Sequence, residues 1–197
     1  MDVEIQTQLR EMVDGMDVSP AELDSRELLP VLLPASFFAT GEWGGPFTRL
    51  RAAEIGLTWA VLMPGGSLRY VNQAIESHWE KQRLDWKALA LANLSRHTEN
   101  QPGPRMLRRV NGEVFAVAFF YEDGLGPSRL LFRGTLSRLF PKGWRVAIPE
   151  RSCGFAFGTD LTPEEQSQVD GVVNHCYHHG TRPFAPGSYA MDDLQPA

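Results

Sequence analysis

Residues 106–121 read MLRRVNGEVFAVAFFY, and this stretch decides the fold class of the chain. Asn111 and Gly112 separate two segments, Met106–Val110 and Glu113–Tyr121, and both residue types tolerate the positive φ angles of a two-residue type I′ turn. The stretch is therefore predicted to form an antiparallel β-hairpin. Its second arm is apolar on both faces, which predicts a central strand covered on both sides.

Further elements are predicted on both sides of this hairpin. Apolar runs bounded by turn residues predict strands at Ile55–Met63, Ser67–Val71, Trp144–Ile148 and Cys153–Phe157. Apolar spacing and capping residues predict helices at Glu4–Gly15, after the Ser19, Pro20 and Glu22 signal, after Val71, after Asp85, at Ser128–Phe140 and from Thr162 to Gly180. Because strands and helices alternate irregularly around an antiparallel hairpin, we expect an α+β fold with a mixed or antiparallel sheet flanked by helices.

The length of 197 residues is compatible with one globular domain that needs neither a disulfide nor a metal to fold. Residues 1–50 are expected to form a helical segment followed by a loop, and residues 181–197 an irregular tail. The loop is rich in glycine and contains Trp43. It is predicted to be a flap of the core, with an exposed apolar patch for a partner as the alternative.

Charge and composition exclude several classes of function. With 19 basic and 24 acidic residues the net charge is −5, so nucleic-acid binding is not expected, and the short cluster of Arg105, Arg108 and Arg109 is interpreted as a solvated strand edge. The N-terminus has no apolar signal segment, and no apolar run is long enough to span a bilayer. We therefore expect a cytoplasmic protein that does not bind membranes. Its oligomeric state is left open.

The strongest candidate binding site combines two serines and two arginines. Ser128 and Arg129 lie at a predicted helix start, and Arg151 and Ser152 lie in a tight connection between two strands. If the two segments converge, the four side chains form a small anion-binding pocket, because the guanidinium group suits carboxylate and phosphate recognition. The alternative is that the arginines form structural ion pairs with Glu150 or Asp123.

Three other groups of residues could support a different function: a nucleophile with a histidine, a histidine pair and a carboxylate pair. Cys153 or Ser128 could act as a nucleophile with a histidine, but alternation along its strand makes Cys153 a core residue. His175 and His179 are four residues apart on one predicted helix and could share a metal, although no further ligand motif accompanies them. The adjacent carboxylates Glu122 and Asp123 are interpreted as turn residues. The two cysteines, Cys153 and Cys176, are too few for a disulfide framework, although a single bridge stays open.

Several short segments resemble the bacterial YtpQ-like proteins, a family of unknown function. These segments lie within residues 55–160 and are Tyr70-Val71-Asn72 with the helix that carries Trp79, Ala92-Asn93-Leu94, Ser128-Arg129-Leu130-Leu131 and Val146–Ser152. The resemblance implies a cytosolic bacterial protein of α+β build. It implies no activity, but it places Arg129 and Arg151 inside matching segments.

The sequence contains many fold signals and no complete catalytic set, so it favours a non-enzymatic binding or regulatory module without a cofactor. The expected ligand is a protein partner or a small anion bound near Arg129 and Arg151. The alternatives are a hydrolase or transferase that uses Cys153 or Ser128 with a histidine, and a metal-binding protein that uses His175 and His179.

Overall fold

The structure, a computed structural model, describes residues 19–39, 41, 43–121 and 123–197. The predicted helix at Glu4–Gly15 lies outside these residues. The chain divides into two compact units: the first contains the described residues up to Arg49 together with Ala53–Thr98, and the second contains Leu50–Ala52 together with Glu99–Ala197. Each unit has its own antiparallel sheet and its own helices, which confirms the α+β prediction. The organisation as one domain stays a prediction.

The first unit is built on a four-stranded antiparallel sheet with one central strand. Its strands are β1 (Leu28–Pro34), β2 (Phe47–Arg49), β3 (Ile55–Leu62) and β4 (Leu68–Tyr70). β3 pairs with β1 along one edge, and with β2 and β4 in succession along the other. The predicted hairpin around residues 64–66 is the β3–β4 pair, so this prediction is confirmed.

Among the described residues of this unit, three α-helices accompany the sheet: α1 (Ser36–Ala39), α2 (Gln73–Lys81) and α3 (Trp86–Glu99). The Asn72 side chain caps α2 by accepting a hydrogen bond from the Ile75 N–H at 3.0 Å, and the Asp85 carboxylate accepts one from the Ala88 N–H at 3.3 Å at the start of α3. The helices bury an aromatic cluster against the sheet, composed of Trp59, Trp79 and Trp86 among aliphatic side chains. The two helices predicted after Val71 and Asp85 are therefore confirmed.

The second unit is built on a five-stranded antiparallel sheet. Its strands are β5 (Arg105–Arg108), β6 (Val114–Phe120), β7 (Trp144–Glu150), β8 (Cys153–Gly158) and β9 (Ser188–Ala190). Their order in the sheet is β5-β6-β8-β7-β9. β6 is an interior strand of this sheet, as its apolar sequence predicts. The helix α5 (Pro163–His179) packs Val169 and Val173 against apolar side chains of this sheet.

Local sequence explains where α5 begins. The Thr162 hydroxyl accepts a hydrogen bond from the Glu165 N–H at 3.2 Å, and the Glu165 carboxylate accepts one from the Thr162 N–H at 2.9 Å. This reciprocal pair, followed by Pro163 at the first helical position, is the predicted capping box. The helix ends before Gly180, also as predicted.

Several local predictions are corrected. Residues 1–50 are expected to be helical and then a loop, but their described part contains β1 and β2, because both segments pair with β3. The hairpin of residues 106–121 forms, but its turn is longer than two residues: the Arg109 N–H donates to Glu113 O, and within the loop only Gly112 has a positive φ. The signal at Ser19 starts a 3-10 helix of three residues, Pro20–Glu22, instead of an α-helix.

The predicted helix at Ser128–Phe140 is two elements, a 3-10 helix at Pro127–Leu131 and α4 at Arg133–Leu139. They are separated at Phe132, whose ψ of 58° lies outside the helical region. The predicted irregular tail contains β9, which pairs with β7, and a 3-10 helix at Met191–Leu194. Tertiary pairing with β7 therefore orders a segment that has no strong strand signal of its own.

Among the described residues, no helix has the length and apolarity that crossing a membrane requires.

Candidate functional site

The structure brings together the two segments predicted to carry an anion site. A β-carbon at Gly126 would lie only 2.3 Å from the Ser152 carbonyl oxygen, so the backbone before Ser128 passes directly over the β7–β8 connection. On β8, a β-carbon at Gly154 would lie 3.0 Å from both Gly126 O and a methyl group of Leu130. Two glycines thus permit the 3-10 helix to lie against the hairpin, at a distance that a side chain would prevent.

Arg129 is fully buried at this junction, and its charge is neutralised by Asp123. The arginine Nη1 and Nη2 donate to Asp123 Oδ1 at 3.1 Å and Oδ2 at 2.7 Å, the two-point geometry that suits a guanidinium and a carboxylate. The guanidinium carbon lies 3.8 Å from the centre of the Tyr121 ring. Burial in this environment raises the pKa of the Tyr121 hydroxyl, which donates to Pro102 O at 3.0 Å.

A second carboxylate, that of Glu150, organises the β7–β8 connection. It is buried and accepts hydrogen bonds from the Ser152 N–H at 2.6 Å, from the Ser152 hydroxyl and from the Arg182 N–H at 3.2 Å. Its side chain also lies over Gly180, where a β-carbon would be 2.4 Å from Glu150 Cγ. Glu150 therefore connects the hairpin to the segment that follows α5, a role that the sequence did not indicate.

The two segments that carry the predicted anion site thus lie against each other. Several polar groups of the four predicted residues already have partners within the protein. Arg129 pairs with Asp123, which is the alternative considered from the sequence. The Ser152 hydroxyl is engaged by Glu150, and Ser128 is buried. Arg151 is half-buried, and its backbone N–H donates to Arg182 O at 3.1 Å. An anion bound here would have to compete with the carboxylates that hold these groups.

Both cysteines lie in the second unit and belong to, or pack against, one apolar cluster. Cys153 is the first residue of β8 and is buried, and Cys176, in the last turn of α5, packs against the same apolar cluster. Burial raises the pKa of both thiols. A raised thiol pKa opposes formation of the thiolate that nucleophilic catalysis requires. The hydrolase or transferase interpretation gains no support from this environment.

His175 and His179 of α5 lie side by side, as their four-residue spacing predicts, and their rings are in contact. The imidazole centres of His175 and His179 are 4.6 Å apart with their planes tilted by 40°, and His178 lies edge-on to Tyr177. Within the part of the chain that the structure describes, no three His, Cys, Asp or Glu residues gather in a way that could hold a metal ion.

Arg109 differs from the other two arginines of its cluster because it forms ion pairs with carboxylates of this chain. Its guanidinium donates to Glu165 at 2.8 Å and approaches Glu113 at 3.0 Å and Asp160 at 3.5 Å. Asp160 is also paired with Lys142 at 2.9 Å. The hydrogen bond from Arg109 lowers the pKa of Glu165, and that from Lys142 lowers the pKa of Asp160. This network fastens the β5–β6 turn to the start of α5.

Arg105 and Arg108, in contrast, lie on an exposed strand edge. β5 is the terminal strand of its sheet, and all four of its residues are exposed, including Met106 at 37% and Leu107 at 42%. Arg105 lies over the ring of Phe120, which is itself 39% exposed. Among the described residues, β5 pairs with β6 alone. We call this surface, composed of β5 and Phe120, the β5 edge.

The Trp43 loop packs within the first unit. Trp43 is half-buried between Phe38 and Tyr70, with ring centres 5.0 Å and 5.2 Å away in edge-to-face geometry. Phe38 in turn stacks on Phe47 at 4.7 Å. These contacts agree with the predicted core flap.

Comparison with protein-family profiles, with curated proteins and with solved structures gives no significant match to this chain. The resemblance to the YtpQ-like family therefore stays a prediction, as does the bacterial, cytoplasmic setting that it implies.

Proposed function

We propose that this protein is a non-enzymatic binding or regulatory module that recognises a protein partner through the β5 edge. The observation that carries this proposal is the exposure of a complete terminal strand that bears two large apolar side chains and two arginines. A terminal strand presents unpaired backbone N–H and C=O groups, so an extended segment of a partner could add to the sheet as a further strand.

The positive charge of the β5 edge indicates what kind of partner it could bind. Arg109 is engaged by carboxylates of this chain, whereas Arg105 and Arg108 place positive charge at the two ends of a four-residue strand. The protein as a whole has a net charge of −5, so this positive charge is local. The expected ligand is an extended acidic segment with apolar residues between its carboxylates, which would pair with the arginines and cover Met106 and Leu107.

A second copy of this chain fits the same edge poorly. If two β5 strands paired antiparallel about their centre, Arg105 of each copy would lie opposite Arg108 of the other. Directly opposed like charges destabilise a strand pair. A different, acidic protein is therefore the favoured occupant.

Binding of a probe peptide tests this proposal. The probe is a fluorescent ten-residue peptide of alternating glutamate and valine, and its matched control replaces each glutamate with lysine. Fluorescence anisotropy should show binding of the acidic peptide that weakens at least tenfold in the variant Arg105→Glu/Arg108→Glu and weakens with added salt. The variant Lys81→Glu/Arg138→Glu carries the same change in net charge on exposed residues outside the edge and should bind like the wild type.

Three results would overturn the proposal. One is equal binding of the acidic and basic peptides, and another is equal weakening by both double variants. The third is a concentration-dependent dimer in sedimentation experiments that the β5 variants abolish, because it would assign the edge to a second copy.

The small-anion alternative centred on Ser128, Arg129, Arg151 and Ser152 stays a prediction with less support, because Asp123 and Glu150 already occupy Arg129 and Ser152. Inorganic phosphate is the direct probe of this alternative. Thermal stabilisation of the wild type by phosphate that is lost in Arg151→Ala would favour it over the β5 edge.

A further inference from the structure

Two histidines of α5 present their imidazole rings to solvent near the end of the helix. His175 and His179 are four residues apart, and both are exposed. Residues at this spacing are neighbours on one side of a helix. We propose that His175 and His179 form a surface site for a divalent transition-metal ion of the class of Ni²⁺ and Cu²⁺, which bind imidazole nitrogens at right angles. This inference does not depend on the function proposed for the β5 edge.

The separation of the two rings suits one shared ion. Their centres are 4.6 Å apart, with the planes tilted by 40°. Two imidazoles that bind one ion through bonds of about 2.1 Å have their centres roughly 4.6 Å apart at a right angle and roughly 5.3 Å apart at the tetrahedral angle. Rotation of each ring about its last side-chain bond can direct one nitrogen at the ion. Because both side chains are exposed, this rotation disturbs no core packing.

The two ligands and their angle determine which ions fit. Imidazole binds Ni²⁺, Cu²⁺ and Zn²⁺, whereas Mg²⁺ and Ca²⁺ prefer oxygen ligands. Zn²⁺ prefers tetrahedral sites, and nitrogen ligands at right angles are typical of Cu²⁺ and Ni²⁺. Since no group of three potential ligands gathers anywhere in the described residues, the pair supplies two ligands and water completes the coordination.

The surroundings of the pair favour a cation. His179 is the last residue of α5, and the backbone carbonyl groups give this end of the helix a partial negative charge. The buried carboxylate of Glu150 packs against the following residue, because a β-carbon at Gly180 would lie 2.4 Å from Glu150 Cγ. Both features attract a divalent ion to the last turn of the helix.

His178 separates the effect of this pair from that of a general excess of histidine. It is exposed on the same turn of α5, but its ring lies edge-on to Tyr177, with the ring centres 5.2 Å apart. It therefore adds to the local histidine content without belonging to the ring contact of His175 and His179. The variant His178→Ala is the matched control for His175→Ala and His179→Ala.

Calorimetric titration of the untagged protein with nickel chloride tests the proposal. Ni²⁺ is the preferred probe because, unlike Cu²⁺, it does not oxidise the free thiols. We expect one ion per chain, with binding weakened roughly tenfold or more in His175→Ala and in His179→Ala, because each variant loses the chelating second ligand. His178→Ala should bind like the wild type, and Zn²⁺ should bind more weakly than Ni²⁺.

A second measurement is thermal unfolding, because an ion that bridges the last turn of α5 binds the folded protein in preference to the unfolded chain. Saturating Ni²⁺ should raise the unfolding temperature of the wild type by roughly 2 °C or more, and EDTA should reverse this shift. The shift should be absent in both variants of the pair. Circular dichroism checks that the variants are folded, as the exposure of the two side chains leads us to expect.

Four outcomes contradict the proposal. The first is a wild type that binds no Ni²⁺, and the second is a loss of affinity in His178→Ala as large as in the variants of the pair. The third is a loss of binding in Cys176→Ser, since a thiolate would then be a ligand. The fourth is tighter binding of Zn²⁺ than of Ni²⁺, which would contradict coordination at right angles.

Discussion

Arg129 donates to both carboxylate oxygens of Asp123, at 3.1 and 2.7 Å, from a position where its own side chain is fully shielded from water. A buried guanidinium is tolerated because this carboxylate compensates its charge and the Tyr121 ring lies 3.8 Å away. The pair holds the segment after β6 in place, so that the following 3-10 helix can lie on β8.

Removing the charge of Asp123 should therefore destabilise the folded protein. In Asp123→Asn, Arg129 keeps its charge but loses the compensating carboxylate, and we expect the free energy of unfolding to fall by about 3 kcal/mol. The matched control is Asp192→Asn, which removes a carboxylate from an ion pair with Arg133 whose side chains are 41% and 53% exposed. This control should cost less than about 1 kcal/mol. Urea unfolding measures both values, and similar losses would contradict the structural role of the pair.

The close packing of Gly126 gives a second prediction. A methyl group there would lie 2.3 Å from Ser152 O and 2.5 Å from Phe119 O, so either the β7–β8 connection or β6 would have to shift. We expect Gly126→Ala to lower stability by more than about 2 kcal/mol. Gly171→Ala is the control, because Gly171 is an exposed position of α5 with no heavy atom within 4 Å of the new methyl group. It should raise stability by about 1 kcal/mol. Thermal unfolding distinguishes the two, and a neutral Gly126→Ala would contradict the contact.

A polar residue holds the first unit together from inside. Asn93 of α3 is buried and donates to Ser25 O at 2.9 Å and Leu28 O at 3.0 Å. Its side-chain oxygen accepts from Arg96 Nη2 at 3.1 Å. We expect Asn93→Ala to cost about 2 kcal/mol, because it removes a side-chain donor from the buried Leu28 carbonyl and one of the two donors to Ser25 O.

Leu91→Ala is the comparison for Asn93 on the same helix, because Leu91 is 42% exposed. Its effect should stay within about 0.5 kcal/mol. Chemical denaturation followed by tryptophan fluorescence reports on both variants, since three tryptophans lie in the core of this unit. A loss at Asn93 no larger than that at Leu91 would contradict the proposed hydrogen bonds.

The ion pairs at the start of α5 predict a dependence of stability on pH. The pKa of Glu165 is lowered by its hydrogen bond from Arg109, and that of Asp160 by its bond from Lys142. Because the folded state holds these carboxyl groups deprotonated below their ordinary pKa, their contribution is complete at neutral pH. It is lost as the pH falls from the ordinary values, 4.5 and 3.8, through the lowered ones.

Arg109→Gln should therefore reduce the difference in unfolding temperature between pH 7 and pH 3. The variant should be less stable than the wild type at pH 7. Acidification should then lower its stability less, because the ion pairs of Arg109 are already absent. The variant Arg138→Gln, which changes an exposed arginine of α4, should keep the wild-type difference. An unchanged acid dependence in Arg109→Gln would show that the network does not contribute to stability.

The sequence by itself determined those features that depend on neighbouring residues along the chain. The capping box at Thr162 and Glu165, the cap at Asp85 and the β5–β6 hairpin each result from local hydrogen bonding or backbone preference, so their residue types reveal them. Asn93 shows how far the sequence goes. It is a polar residue on the buried, otherwise apolar face of α3, and only this position in the pattern indicates a buried hydrogen-bonding role.

Only the tertiary structure decided which polar groups remain accessible to a partner. Of three neighbouring arginines on the β5–β6 hairpin, Arg109 is engaged by Glu165, while Arg105 and Arg108 stay exposed. Arg129 and Ser152 converge as the sequence suggests, but carboxylates from Asp123 and Glu150 meet them. The physical reason is that electrostatic partners depend on distances in space between residues that are separated along the chain, which the order of residues does not specify.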